Sequence, residues 1–133
     1  MKRLVVQTRK FSETLDSLIA QNKISTDDFN DFERALVSNP DEGDPIQGAG
    51  GLRKTRLKST SRGKSGAFRV CYCDVKEKEK LFLILIYAKN KKENLSREEA
   101  RLLKTMVDRL NWTLAFFGHR VRRGLSLRRL HLS

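Results

Sequence analysis

The 133 residues include only two cysteines, two histidines and one tryptophan. No apolar run approaches the roughly 20 residues that a membrane-spanning helix needs, and the Leu4-Val5-Val6 stretch is too short for a signal-peptide core. The chain therefore reads as cytoplasmic, with no membrane partner. Cys71 and Cys73 lie two apart in a strand-like run, where side chains point the same way but bridge poorly, so they are no disulfide framework. A closed metal site needs about four ligands, and the histidines, His119 and His131, both sit near the C-terminus. No metal and no cofactor are expected. The length suits one modest domain, which excludes a barrel of roughly 250 residues, a separate cofactor domain and a repeat array.

What the chain has in excess is positive charge. Its 28 Lys and Arg against 16 Asp and Glu give a net charge of +12, which favours polyanions: nucleic acid, an anionic membrane or an acidic protein. The charge is polarised. Between Leu52 and Arg69 there are seven basic residues, Arg53, Lys54, Arg56, Lys58, Arg62, Lys64 and Arg69, and no acid; Ser25 to Asp44 holds seven acids and only Arg34. A second basic cluster is Lys89, Lys91 and Lys92.

The hydrophobic pattern predicts an α+β domain of order β-α-α-β-β-β-α, with a small sheet of antiparallel type packed against N-terminal helices and a C-terminal helix. Residues 4–7 read as a strand, and Phe11, Leu15, Leu18 and Ile19 line one face of a helix. Ser25 and Asp28 form a capping box for a second helix, with Ile24 and Phe29 as its hydrophobic staple, and Asn39-Pro40 ends it. Residues 41–51 read as a loop whose glycines fit neither a Walker nor a dinucleotide motif. A basic strand follows at 52–57, a polar loop at 58–65, then a strand in which Phe68, Val70 and Tyr72 alternate with Arg69, Cys71 and Cys73, leaving one face packed and the other partly functional. A hairpin connection leads to residues 81–88, apolar on both faces as in a covered central strand. Ser96 and Glu99 cap a third helix carrying Ala100, Leu103, Met106, Val107 and Leu110.

Basic runs are usually solvated surface, but two features argue for an anion site. Lys54 and Arg56 alternate along a strand and so project from one face. Arg69 stands between Phe68 and Val70, where a cation is costly unless an anion meets it, and a phosphate is the economical candidate.

Residues 50–57 (GGLRKTRL), 63–72 (GKSGAFRVCY) and 86–96 (IYAKNKKENLS), together with 39–44 (NPDEGD), resemble the HigB-like branch of the RelE/ParE toxin superfamily over about Met1 to Leu110. The resemblance implies a toxin of a type II toxin–antitoxin pair. It would be a metal-independent endoribonuclease that enters the ribosomal 30S A site and cuts mRNA there, with a cognate antitoxin as its protein partner. Such cleavage uses the 2′-hydroxyl as nucleophile, so the protein must remove a proton, neutralise the phosphorane and protonate the 5′-oxygen. By the same resemblance, Lys54, Arg56 and Arg69 are catalytic, and Tyr87 and Lys89 serve proton transfer or base stacking. Arg53, Arg62, Lys64, Lys91 and Lys92 fit a grip on RNA backbone. Tyr87 has an alternative as a strand-end aromatic closing the core. Where the RelE-type pattern has a catalytic Tyr near the end, this chain has about Ser96, so the general base is left unassigned.

Two rival functions remain open at this level. A ParE-type, non-enzymatic inhibitor of DNA gyrase would use the same fold without needing Lys54, Arg56 and Arg69; a non-catalytic basic RNA-binding domain would leave Arg69 unexplained. The toxin domain is assigned to residues 1–111. Residues 112–133, apolar and then Arg-rich with no Lys and no acid after Gly118, are an extension expected to be poorly ordered or in weak contact with RNA.

Overall fold

A computed structural model describes residues 3–60, 67–88, 96–113 and 122–123. The elements run β1 (Leu4–Gln7), α1 (Arg9–Ala20), α2 (Thr26–Ser38), β2 (Asp44–Pro45), β3 (Leu52–Lys58), β4 (Ala67–Val75), β5 (Lys80–Ala88), α3 (Arg97–Thr113) and β6 (Arg122–Arg123). A 3-10 turn at Lys76–Lys78, closed by Glu79 at φ 53°, joins β4 to β5. No described helix is long and apolar enough to cross a membrane.

The α+β order is the one read from the pattern, with two corrections to the sheet. It is mixed rather than antiparallel, because β1 lies parallel beside β5 while β2, β3, β4 and β5 form antiparallel neighbours in the order β2-β3-β4-β5-β1-β6. A parallel pairing needs a long crossover, and no turn signal marks it. The segment 41–51, expected to be loop throughout, contains the short edge strand β2; Pro45 lacks the N–H of a ladder donor and is tolerated at an edge. Helix α3 also runs through Thr113, across the boundary expected at residue 111, and β6 pairs with β1 through Arg123 and Arg122. The rest of the extension lies outside the described residues.

Both faces of the sheet are covered. On one, Phe11 and Leu15 of α1 and Phe29 and Leu36 of α2 pack with Ile24 against Val5, Leu57, Phe68, Val70, Tyr72, Leu81, Leu83 and Ile86. On the other, Ala100 and Leu103 of α3 pack on Val6, Leu52, Cys71, Cys73, Val75, Phe82 and Ile84. Burial of each large apolar side chain is worth about 1.5–3 kcal/mol. The strand 81–88 is therefore covered on both sides, as its unbroken apolar sequence predicts. The capping box is also present: Ser25 Oγ accepts the Asp28 N–H (2.9 Å) and the Asp28 carboxylate accepts the Ser25 N–H (3.2 Å).

Candidate functional site

The site begins with the parity of β3. Successive side chains alternate across a strand. Arg53, Thr55 and Leu57 therefore turn to the α1/α2 face, and Leu52, Lys54 and Arg56 to the α3 face. Leu52 is buried there with Ala100 and Leu103, whereas Lys54 is half-buried and Arg56 exposed.

The ladder aligns the other cations. Arg56 pairs with Arg69 on β4, and Arg69 with Tyr87 on β5; the next row joins Lys54 to Cys71 and Cys71 to Leu85. Directly opposed residues share a face with Cβ atoms about 4.5–5.5 Å apart, and like charges so placed repel. Lys54, Arg56 and Arg69 thus form a compact cationic patch on one face, with Tyr87 at its far edge. An anion between the two guanidiniums removes that repulsion, and the planar forks of arginine match phosphate oxygens.

Tyr87 is on this face because of a β-bulge. The β4–β5 register passes from Cys71↔Leu85 to Tyr72↔Leu83, leaving Ile84 as the extra residue. Before the bulge Phe82 and Ile84 face α3; after it Leu85 and Tyr87 do, while Ile86 turns to the opposite core. Bulges commonly re-aim side chains beside functional sites. Strict alternation from Phe82 would have turned Tyr87 the other way. The carbonyl of Ile84 is satisfied by the Thr8 hydroxyl (2.8 Å), and the same oxygen accepts the Phe11 N–H (3.1 Å) as N-cap of α1.

The segment before β3 is clamped from the opposite face. Arg53 Nη1 donates to the carbonyls of Gly43 (2.6 Å) and Asp41 (3.2 Å). The Tyr72 hydroxyl accepts the Gly43 N–H (2.9 Å) and donates to the Pro40 carbonyl (2.7 Å), and Thr55 donates to the Glu42 carboxylate (2.9 Å). Burial is the largest influence on the Tyr72 hydroxyl and holds its pKa above the usual tyrosine value. A methyl group on Gly43 would come within 2.8 Å of the Lys54 carbonyl and of the Tyr72 ring, so no larger residue fits without movement. The NPDEGD segment is in this way pinned against the strand that carries Lys54 and Arg56.

Of the residues singled out in the sequence, Lys54, Arg56, Arg69 and Tyr87 are brought together. Arg53 does not join them: it lies on the opposite face, engaged by backbone carbonyls, and the alternation along β3 was the available signal. Arg62, Lys64, Lys89, Lys91 and Lys92 lie outside the described residues. On the Arg69–Cys71–Cys73 side of β4, Cys71 and Cys73 are apolar core beneath α3 and Arg69 alone joins the cationic patch; burial pushes the Cys73 thiol up to about 11, which keeps it protonated. Ser96 directly precedes α3, its carbonyl accepting the Ala100 N–H (2.9 Å). Sequence reasoning missed Asp44, which stands opposite Lys54 in the β2–β3 ladder.

A family model described as the RelE toxin of the RelE/RelB toxin–antitoxin system matches residues 44–115, more than half of the chain. The matched span begins at β2 and includes every residue of the cationic face.

Proposed function

The chain belongs to the RelE toxin family, and on that premise we propose that it is a ribosome-dependent endoribonuclease of the HigB-like branch, cleaving mRNA in the 30S A site. As a toxin of a toxin–antitoxin system it has a cognate antitoxin for a partner.

The observation that carries the proposal is the shared face of Lys54, Arg56 and Arg69, with Tyr87 in the same row as the two arginines. Arg56 and Arg69 hold the non-bridging oxygens of the scissile phosphate, and their fixed charge is strongest as the phosphorane develops. Lys54 adds a third cation from the neighbouring row. Tyr87, re-aimed by the bulge, stacks on a base or gives a proton to the leaving 5′-oxygen. The phosphate also relieves the Arg56–Arg69 repulsion, so substrate binding is coupled to the electrostatics of the sheet. Lys89, Arg62, Lys64, Lys91 and Lys92 extend the grip along the RNA backbone.

The test is primer extension on a defined mRNA in a reconstituted translation reaction, with and without ribosomes, comparing wild type with Lys54→Ala and Arg69→Ala. Ribosome-dependent cuts lost in either variant are the expected result. Intact message in every lane would overturn the proposal and direct attention to inhibition of gyrase supercoiling.

A further inference from the structure

The described strands contain two acids, Asp44 and Asp74, and they have opposite fates. Asp74 is buried in a two-bond pair with Arg3 (2.6 and 3.2 Å). Asp44 is exposed and directly opposite Lys54, on the cationic face. Its orientation has an independent check two residues on: the Ile46 N–H donates to the Leu52 carbonyl (2.8 Å), and Ile46 packs with Leu52 in the core beneath α3. Asp44, of the same parity as Ile46, faces the same way.

The groups around this carboxylate are cationic or already engaged. Lys54 is opposite it, with Arg56 further along β3, and Arg69 and Tyr87 follow on β4 and β5. From α3, the Lys104 side chain lies over Gly50, its Nζ 3.7 Å from the Asp108 carboxylate. The nearby acids are turned away, Asp41 toward Arg53 and Lys76, and Glu42 onto Thr55.

Resting on the endoribonuclease reading, we propose that Asp44 is the proton acceptor for the attacking 2′-hydroxyl. Asp44 and Tyr87 stand on β2 and β5, three strand spacings or about 14 Å apart across the sheet, with the cations between them. Tyr87 lies one row further along the strands than Asp44, so the two stand at opposite corners of the cationic face. Asp44 takes the 2′-hydroxyl proton as the 2′-oxygen forms its bond to phosphorus. The bond to the 5′-oxygen breaks, the electron pair leaves on that oxygen, and a proton from the Tyr87 side completes the 5′-hydroxyl. The other product is a 2′,3′-cyclic phosphate. Lys54 beside it and the two arginines beyond offset the repulsion between this carboxylate and the RNA backbone.

The experiment is single-turnover cleavage of ribosome-bound mRNA by wild type, Asp44→Asn, Asp44→Glu and Tyr87→Phe. Each is measured on the normal message and on one with sulfur in place of the scissile 5′-oxygen, which leaves without needing a proton. Asp44→Asn is expected to be slower by about 10²–10⁴-fold on both messages, with unchanged binding to the programmed ribosome. Asp44→Glu should recover part of the rate, and sulfur should rescue Tyr87→Phe alone. Cleavage by Asp44→Asn within a factor of a few of wild type, its rescue by sulfur, or a loss confined to binding would overturn the assignment. Failure of wild type to cut would instead overturn the endoribonuclease reading beneath it.

Discussion

On the face covered by α1 and α2, β1, β3, β4 and β5 contribute large apolar side chains to one continuous core, and the Tyr72 hydroxyl that reaches its edge is satisfied locally by Pro40 and Gly43. On the face covered by α3 the apolar core stops partway. Leu52, Cys71 and Cys73 are buried there, but two to four residues along the same strands Lys54, Arg56 and Arg69 take over. One face is continuous apolar core; the other sets Arg56 opposite Arg69 beside its shorter apolar core, at the site proposed above for RNA. On the proposed reading stability and function are separable by face, and substitutions on the two sides should fail in different ways.

The largest expected effect is on the packed side. Phe11 is fully buried, with its ring centroid 6.1 Å from that of Phe29. Phe11→Ala should cost about 3–5 kcal/mol, read as a lower urea midpoint with a similar slope. Cleavage per folded molecule should be unchanged, and a specific loss of cleavage would show that the faces are coupled through the sheet.

Arg56→Ala should show the reverse. Removing one preorganised charge from a transition state costs about 10²–10³-fold, or 2.7–4 kcal/mol, in ribosome-dependent cleavage. Arg56 is exposed and opposed by Arg69, so the urea midpoint should stay or rise slightly. A large loss of stability would mean that Arg56 serves the fold.

Thr8 tests a place where the two faces are joined. Its oxygen caps α1 on the packed side and its hydroxyl hydrogen goes to the bulged Ile84 that turns Tyr87 to the other side. Thr8→Ala should cost about 0.5–2 kcal/mol from the lost cap and lower cleavage as well, whereas Thr8→Ser, which keeps the oxygen, should retain both. Equal stability loss with full activity would show that the bulge holds without Thr8.

This joint also marks the limit of what the sequence makes legible. Local signals were sufficient for most elements: the Ser25–Asp28 box, the apolar run of β5 and the alternation of Phe68, Val70 and Tyr72 each act through near neighbours. The same alternation puts Lys54 and Arg56 together and, followed strictly, moves Arg53 to the other side. Pairings across long separations left no such mark. Nothing in residues 4–7 shows that they lie parallel to β5, a two-residue strand ending in Pro45 resembles a loop, and the bulge at Ile84 reverses the facing of Tyr87 without any glycine to announce it. The place of Asp44 opposite Lys54 was hidden for the same reason, since it depends on the pairing of β2 with β3.

The smallest effect concerns Asp28, the acid that fastens the chain after β3 to the packed face. Its carboxylate accepts the Thr60 hydroxyl (2.7 Å) and the Thr60 N–H (3.2 Å) besides the Ser25 N–H, and the Ser59 hydroxyl donates to the Lys23 carbonyl alongside. Desolvation is the largest single influence and raises the Asp28 pKa, but the hydrogen bonds from Thr60 and Ser25 together outweigh it, leaving the group below its ordinary 3.8. Because the folded value lies below the unfolded one, the carboxylate stabilises the fold fully above the unfolded value, and the contribution is lost as pH falls through the folded one. Asp28→Asn should therefore be less stable than wild type near neutral pH, and the two urea midpoints should converge once the pH drops below the folded value. A difference that persists undiminished in acid would assign the effect to packing at the α2 terminus. If the difference fades while cleavage at neutral pH is unaffected, the tether serves the packed face alone; if cleavage falls with it, anchoring of Ser59 and Thr60 also sets how the Arg62–Lys64 segment meets RNA.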